Sequence, residues 1–380
     1  MKITRVETVP VDKYLFVRVH TDEGIVGYGE SHAWGFHEAT ERIIAKFARY
    51  LVGEDASRIE HHWQYLYRAF HFRGSSIMGA LSAIDIALWD IKGKALGVPV
   101  YELLGGKTRD RVRVYQDIHG TTVEEVVAQC EDAVARGFTA LGHLSPFPDG
   151  TRADPCFKPH AARMRDAIHA VAAYRDAVGP SVDLCLECHR RLTPAEAITL
   201  GHAIEPYHPL FLEDPSRPDN IDAQGAVAAK LTVPIATGER LHTLEEYQML
   251  FARGGCQYVR PSIGLCGGLT GAKKIAALAE ANGIGVCPHH VASPFLTGVY
   301  VQLAACIPNF CIAEYQDSER SSPKRDLVTD VIEYDGAGFL HVPDRPGIGI
   351  DLAPDVERHF PVVAREIETR LHRDGSVVDF

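Results

Sequence analysis

Four glutamates and a histidine recur at near-equal intervals down the second half of the chain: Glu187, Glu213, Glu239, His289 and Glu314. The steps are 26, 26, 50 and 25 residues, the longest being two steps of 25. Each residue closes a short apolar run, namely DLCLE, LFLE, IATGE, GVCPH and FCIAE. Three carboxylates gathered at one point repel one another unless a cation lies between them. Glu187, Glu213 and Glu239 therefore read as ligands of one metal ion. An oxygen-only set that leaves positions open suits a hard cation, Mg²⁺ ahead of Mn²⁺. His189 and His289 are the candidate proton carriers, since histidine titrates near neutrality unaided. Side chains of a strand repeat every second residue, so Glu187 and His189 are expected on the same face, with Cys185 behind them. Asp214 and His290 then point away from that face. His143, His242 and the remaining histidines read as packing or surface groups.

The elements that position these residues follow from the same beat. A strand, a helix and two short loops consume about 25 residues, the repeat of a β/α barrel whose strands deliver their carboxyl ends to one mouth. Eight such strands are expected: VRVYQDI (112–118), TALGHLS (139–145), DLCLECH (183–189), PLFLE, PIATGE, CQYVRP, GIGVCPH and NFCIAE. The helices between them carry start signals. Thr122 with Glu125, Thr193 with Glu196 and Thr243 with Glu246 each match a capping box. A polar, proline-rich excursion runs from Pro146 to His160. Ahead of the barrel, residues 1–20 alternate as a strand, and Thr21–Gly24 forms a turn into a second strand, IVGYGES. From 37 to 105 the pattern is helical, with a long stretch from Ile77 to Leu96 stopped by Gly97 and Pro99. The expected fold is α/β, with an α+β domain over 1–111, a barrel over 112–320, and a segment of loops and short strands over 321–380.

At 380 residues the chain suits a barrel plus a second domain. Its composition is that of a soluble globular protein: 46% hydrophobic, 23% charged, mean hydropathy −0.08. A formal charge of −11 without a basic stripe argues against a nucleic-acid partner. No apolar run approaches the roughly 18 residues of a membrane span, and a cytoplasmic location is expected. The nine cysteines are scattered. Cys185 and Cys188 share one strand and face opposite ways, so they do not form a redox or zinc pair.

The segment from Ala80 to Gly106, ALSAIDIALWDIKGKALGVPVYELLGG, resembles the signature of the mandelate racemase branch of the enolase superfamily. The likeness extends over the opening strands, the glutamate-bearing strands and the closing PDRPGIGIDL. It implies a modified (β/α)7β TIM barrel, capped by the N-terminal segment together with the C-terminal tail. It also implies three acidic ligands on one Mg²⁺, and an enediolate formed by loss of a proton beside a carboxylate. Within the branch, ECHRRLTPAEA, EPYHPLFLEDP and NFCIAEYQ are similar to sugar-acid dehydratases of the galactonate and mannonate type. That similarity implies His189 as general acid, His289 as base and Glu314 near the substrate. The substrate would be an aldonic acid, the product a 2-keto-3-deoxy acid, and the assembly a homo-oligomer. Loops near Glu30–Phe36 and His71–Ser76 would close over the sugar hydroxyls. Glu187 stands where the family has Asp, and Ser262 where a carboxylate would pair with the base. Gly142 and Leu144 stand where a basic residue faces the site. Two other outcomes share the site: epimerisation of a sugar acid, or metal binding with little catalysis.

Overall fold

The computed structural model describes residues 1–148, 155, 158–367 and 369–379, so the excursion after Pro146 lies partly outside the described residues. The chain opens with strands β1 (Ile3–Val11), β2 (Tyr14–Thr21) and β3 (Val26–Ser31), paired antiparallel in that order. Residues 1–20 are thus two strands rather than one. The break falls at Asp12, which takes a positive φ of 50°, and the alternation either side gives no sign of it. Helices α1 (His37–Leu51), α2 (Ile59–Arg68), α3 (Ser75–Leu96) and the short α4 (Val100–Leu103) follow.

The signature segment lies on α3 and α4, and its chemistry explains its pattern. Small residues on α3 let the sheet approach closely: a Cβ on Gly29 would lie 1.9 Å from the Ala83 carbonyl oxygen. The Asp90 carboxylate accepts from the backbone N–H of Tyr28 (3.0 Å) and of Ile348 (2.9 Å) and from Lys94 Nζ (2.7 Å). One buried side chain therefore ties the first sheet, the long helix and the C-terminal segment together. Gly97 ends α3 in the left-handed conformation at φ 69°, where glycine carries no Cβ penalty.

The barrel consists of β4 (Arg111–Asp117), β5 (Ala140–Leu144), β6 (Asp183–Glu187), β7 (Phe211–Glu213), β8 (Ile235–Thr237), β9 (Tyr258–Val259), β10 (Gly285–Val286) and β11 (Ala313–Tyr315). All neighbours are parallel in sequence order, β11 pairs back onto β4, and Val286 bridges Phe310 to close the ring. Seven helices connect them: α5 (Val123–Ala135), α6 (His160–Val178), α7 (Pro194–Ile204), α8 (Ile221–Ala228), α9 (Leu244–Ala252), α10 (Gly268–Ala281) and α11 (Pro294–Cys306). Eight strands and seven helices make the (β/α)7β barrel. Two of the three capping boxes form, at Thr193 and Thr243. At α5, Thr122 caps Glu125 N–H, but the Glu125 carboxylate turns to Thr121 instead. Inside the ring Tyr115, Ala140, Cys185, Phe211, Ala236, Cys287 and Ile312 form one apolar plug beneath the mouth.

Cap and barrel are joined by buried and half-buried polar contacts. Trp63 Nε1 donates to the Gly267 carbonyl (2.8 Å), Trp89 Nε1 to Thr270 Oγ1 (2.9 Å), and Thr270 N–H to Asp85 (3.0 Å). After the barrel, β12 (Phe339–His341) pairs antiparallel with β4. The short α12 (Val356–His359) then returns to the first sheet, where Arg18 forks onto Glu357 with two 2.9 Å bonds. A terminal hairpin, β13 (Arg370–Leu371) and β14 (Val377–Val378), completes the described chain.

Candidate active site

The three glutamates expected as ligands converge. Glu187 and Glu213 end β6 and β7 in direct register, while Glu239 lies two residues past the end of β8. Each offers a carboxylate oxygen within 4.8 Å of the others. Glu187 and Glu213 are buried, at 4% and 2% exposure, so water screens little of their repulsion. Burial, with Glu187 and Glu239 nearby, pushes the Glu213 carboxyl well up despite Arg260 beside it. Glu239 is pushed up to about 8 by burial and by Asp214 and Glu187. Glu187 goes the other way: burial raises it, but the adjacent His189 and His143 hold it well below the carboxylate range. A close-set, oxygen-only trio, two members of which are raised by the charge of their neighbours, is a fit for a hard divalent cation.

His189 and His289 occupy opposite ends of this row. His189 Nε2 lies 2.7 Å from Glu187 Oε1, and His289 Nε2 lies 3.2 Å from Glu239 Oε2. Strand alternation is not what delivers His189. β6 stops at Glu187, and His189 and Arg190 take positive φ angles of 47° and 65°, turning the chain back over the mouth. Burial, His32 and Arg260 together hold the His289 imidazole neutral, well below its ordinary value. Its Nδ1 is buried without a hydrogen-bond partner among the described residues. His290 points away, as expected, onto Glu319 (3.1 Å) and Thr297 (2.8 Å). Asp214 also turns from the row, accepting from Thr237 Oγ1 at 2.5 Å.

Glu314 reaches the same mouth and is held from within through one oxygen. Its Oε2 accepts from Arg260 Nη2 (2.6 Å) and from the His290 backbone N–H (2.7 Å). Arg260, at 1% exposure, pairs with Glu213 through Nε and donates from Nη1 to the Tyr115 hydroxyl (2.7 Å). This guanidinium fork links β4, β7, β9 and β11. An arginine closing the apolar run CQYV was its only trace in the sequence.

On the second barrel strand the expectation holds at Gly142 and fails at Leu144. The pairing of β5 with β6 shifts register between Leu141 and Leu144, and His143 sits at φ 54°. That irregularity swings His143, in place of Leu144, toward the mouth, where Nδ1 lies 2.9 Å from Glu187 Oε2, while Gly142 still faces the barrel interior. His143 is therefore no bystander. Burial disfavours its charge, yet Glu187 prevails and lifts the imidazole to about 10. Gly142 has no room for a side chain, since a Cβ there would lie 2.2 Å from the Tyr115 ring.

The cap contributes His32, from the loop expected to close over the site. His32 Nε2 lies 3.0 Å from the Val291 carbonyl and must carry the proton there, so Nδ1 accepts from Ser262 Oγ at 2.7 Å. Its ring stacks on His289 with centroids 5.2 Å apart. Ser262 thus serves the cap histidine, and His289 meets a neutral ring where a carboxylate was the expected partner. Glu30, near the end of β3, turns instead onto Ser293, accepting from its N–H at 3.2 Å. No sequence pattern links residues 32 and 262, which lie on different domains.

Comparison with known proteins identifies the family of both domains. Residues 2–105 match the mandelate racemase / muconate lactonizing enzyme N-terminal domain, and residues 125–356 match the enolase C-terminal domain-like family. D-galactonate dehydratases of Variovorax paradoxus and Xanthomonas oryzae are each 35% identical, over 100% of both chains. A crystal structure from Agrobacterium radiobacter superimposes with TM-score 0.92 at 30% identity, covering 100% of both chains. It is described as an enolase, a candidate galactarate dehydratase, bound to Na and L-malate. A candidate dehydratase from Mesorhizobium loti gives TM-score 0.86 at 34% identity, covering 95% of this chain and 98% of that one.

Proposed function

The chain belongs to the mandelate racemase branch of the enolase superfamily, and we propose that it is a hydro-lyase removing water from an aldonic acid to give a 2-keto-3-deoxy acid. The observation that carries this reading is the row of three glutamates with an imidazole at each end. Dehydration needs a base on one side of the substrate and an acid for the departing hydroxyl on another, and the row separates the two. The similarity to D-galactonate dehydratases over the whole chain supports a sugar acid as substrate.

Glu187, Glu213 and Glu239 would hold Mg²⁺, which when bound would neutralise the substrate carboxylate and the enediolate charge that grows as the adjacent proton leaves. His289 takes the C2 proton. A neutral ring has the lone pair this requires, and burial beside Arg260 and His32 keeps it neutral. His189 delivers a proton to the C3 hydroxyl as the C–O bond breaks. Glu314 acts through Arg260, fixing the fork that holds Glu213 in place. The positive charge on Arg260 also adds preorganised field to the floor of the mouth.

The test is a panel of aldonic acids incubated with the protein and Mg²⁺, scored for 2-keto-3-deoxy product by NMR. Silence across the panel rejects the reading. Exchange of the C2 proton with D₂O without loss of water would move it to epimerisation. The His189→Asn and His289→Asn variants should each lose most turnover, roughly 10²–10⁴-fold for an acid or a base. If both remain active, the roles are misassigned.

A further inference from the structure

We propose that His143, His189 and Glu187 form a second cation site, for a nitrogen-seeking transition metal such as Zn²⁺, beside the oxygen-lined one. The two imidazoles approach the same carboxylate from different sides: His143 Nδ1 lies 2.9 Å from Oε2, and His189 Nε2 lies 2.7 Å from Oε1. One donor atom from each of the three residues falls within 4.8 Å of the other two. The rings meet edge to face, with centroids 4.8 Å apart and planes at 73°, so their nitrogens converge instead of stacking. His119 brings a further imidazole, its centroid 4.4 Å from that of His143.

Both histidines hold positive φ angles, 54° at His143 and 47° at His189, and both bends aim a ring nitrogen at Glu187. A tetrahedral ion at ~2.0–2.1 Å from its ligands separates them by roughly 3.3 Å, so the present contacts need open by only about half an ångström. On binding, each N–H···O contact becomes N–metal–O; the proton on that nitrogen leaves to solvent or, only in a neutral ring whose other nitrogen is bare, moves there. Donor type separates the two sites. Imidazole favours Zn²⁺, Cu²⁺ or Ni²⁺, whereas carboxylate oxygens alone favour Mg²⁺ or Mn²⁺. Glu187 is common to both sets and would bridge them. If Glu187 and His189 act as proposed above, a metal here also stops turnover, but its binding can be read without any turnover.

The probe is Co²⁺, titrated into the purified protein at saturating Mg²⁺ and followed by visible absorption and calorimetry. The expected result is one Co²⁺ per chain that Mg²⁺ does not displace, with the intense bands of a four- or five-coordinate ion. Zn²⁺ should displace it. His143→Asn should weaken binding about 100-fold or more, since a lost ligand removes a large share of site affinity. Glu213→Gln, which alters only the oxygen set, should retain the Co²⁺ bands. His189→Asn repeats the first test should His143→Asn fold poorly. Complete displacement of Co²⁺ by Mg²⁺, wild-type binding in both histidine variants, or loss of the bands in Glu213→Gln would each overturn the proposal.

Discussion

Arg260→Met is the most informative single change. In the folded chain this buried guanidinium touches the Glu213 carboxylate, Glu314 Oε2 at 2.6 Å and the Tyr115 hydroxyl at 2.7 Å. Methionine has similar length and no charge, so packing is largely kept while two buried carboxylates lose their counter-ion. Removing one partner of a buried ion pair costs about 3–5 kcal/mol, because the stranded charge keeps its full desolvation penalty. At roughly 2–3 °C per kcal/mol the melting point should fall on the order of 10 °C. The loss should grow as pH rises. Burial and its acidic neighbours already hold the Glu213 carboxyl above its ordinary value, with Arg260 opposing them, so removing Arg260 lifts it further. A group raised on folding stabilises the fold below its unfolded pKa and loses that contribution as pH climbs through the folded one. The gap between variant and wild type should thus be smaller near pH 5 than near pH 8. Adding Glu314→Gln to Arg260→Met should recover part of the loss, with a coupling of about 0.5–3 kcal/mol. Calorimetric or urea melts at both pH values read all of this. A variant within about 0.5 kcal/mol of wild type, or one that Glu314→Gln worsens additively, would refute the reasoning.

Gly142→Ala drives a methyl into the Tyr115 ring at 2.2 Å, and overpacking of this kind should cost about 1–3 kcal/mol in a urea melt. Magnesium at about 100 times its dissociation constant should raise stability by ~2.7 kcal/mol, and Glu239→Gln should abolish most of that gain in a thermal-shift titration. Asp85 is pushed up to about 7 by burial, so its contribution is complete below its unfolded value and lost as pH rises through about 7. Asp85→Asn should therefore gain on wild type between pH 5 and pH 8, by no more than roughly 3 kcal/mol; a pH-independent difference would exclude that account.

The barrel and the glutamate row were legible because both rest on periodicity. A repeat of about 25 residues sets the strand ends, and register sets Glu187 beside Glu213. What escaped depends on departures from period. His143 reaches the mouth through a shift in strand register, and His189, expected there, arrives through a left-handed turn after its strand has ended and not by alternation. Alternation predicts Gly142 and Leu144 facing inward; it holds at Gly142, which meets the interior Tyr115 ring, and the irregular residue His143 overturns it at Leu144. Arg260 and His32 were hidden for a different reason. Their meaning comes from partners more than 50 and 200 residues away, at Glu314 and Ser262. Single-sequence spacing carries no information about such pairings. The hairpin at Asp12 was missed because nothing in the VPVDKYLF stretch interrupts the apolar pattern strongly enough.

The first sheet is gripped from both ends of the chain: residues 1–31 build it, and Glu357 and Phe360 return to clasp Arg18 and Asp12 after the barrel is complete. A lid hinged at two separated points cannot swing away as a unit without breaking one hinge. The short stretch around His32 is fastened separately, pinned to Ser262 and Val291 by two bonds. Transplanting that stretch from a relative to change which acid is accepted would have to bring residues 262 and 291 with it, since latch and keeper are cut as a matched pair.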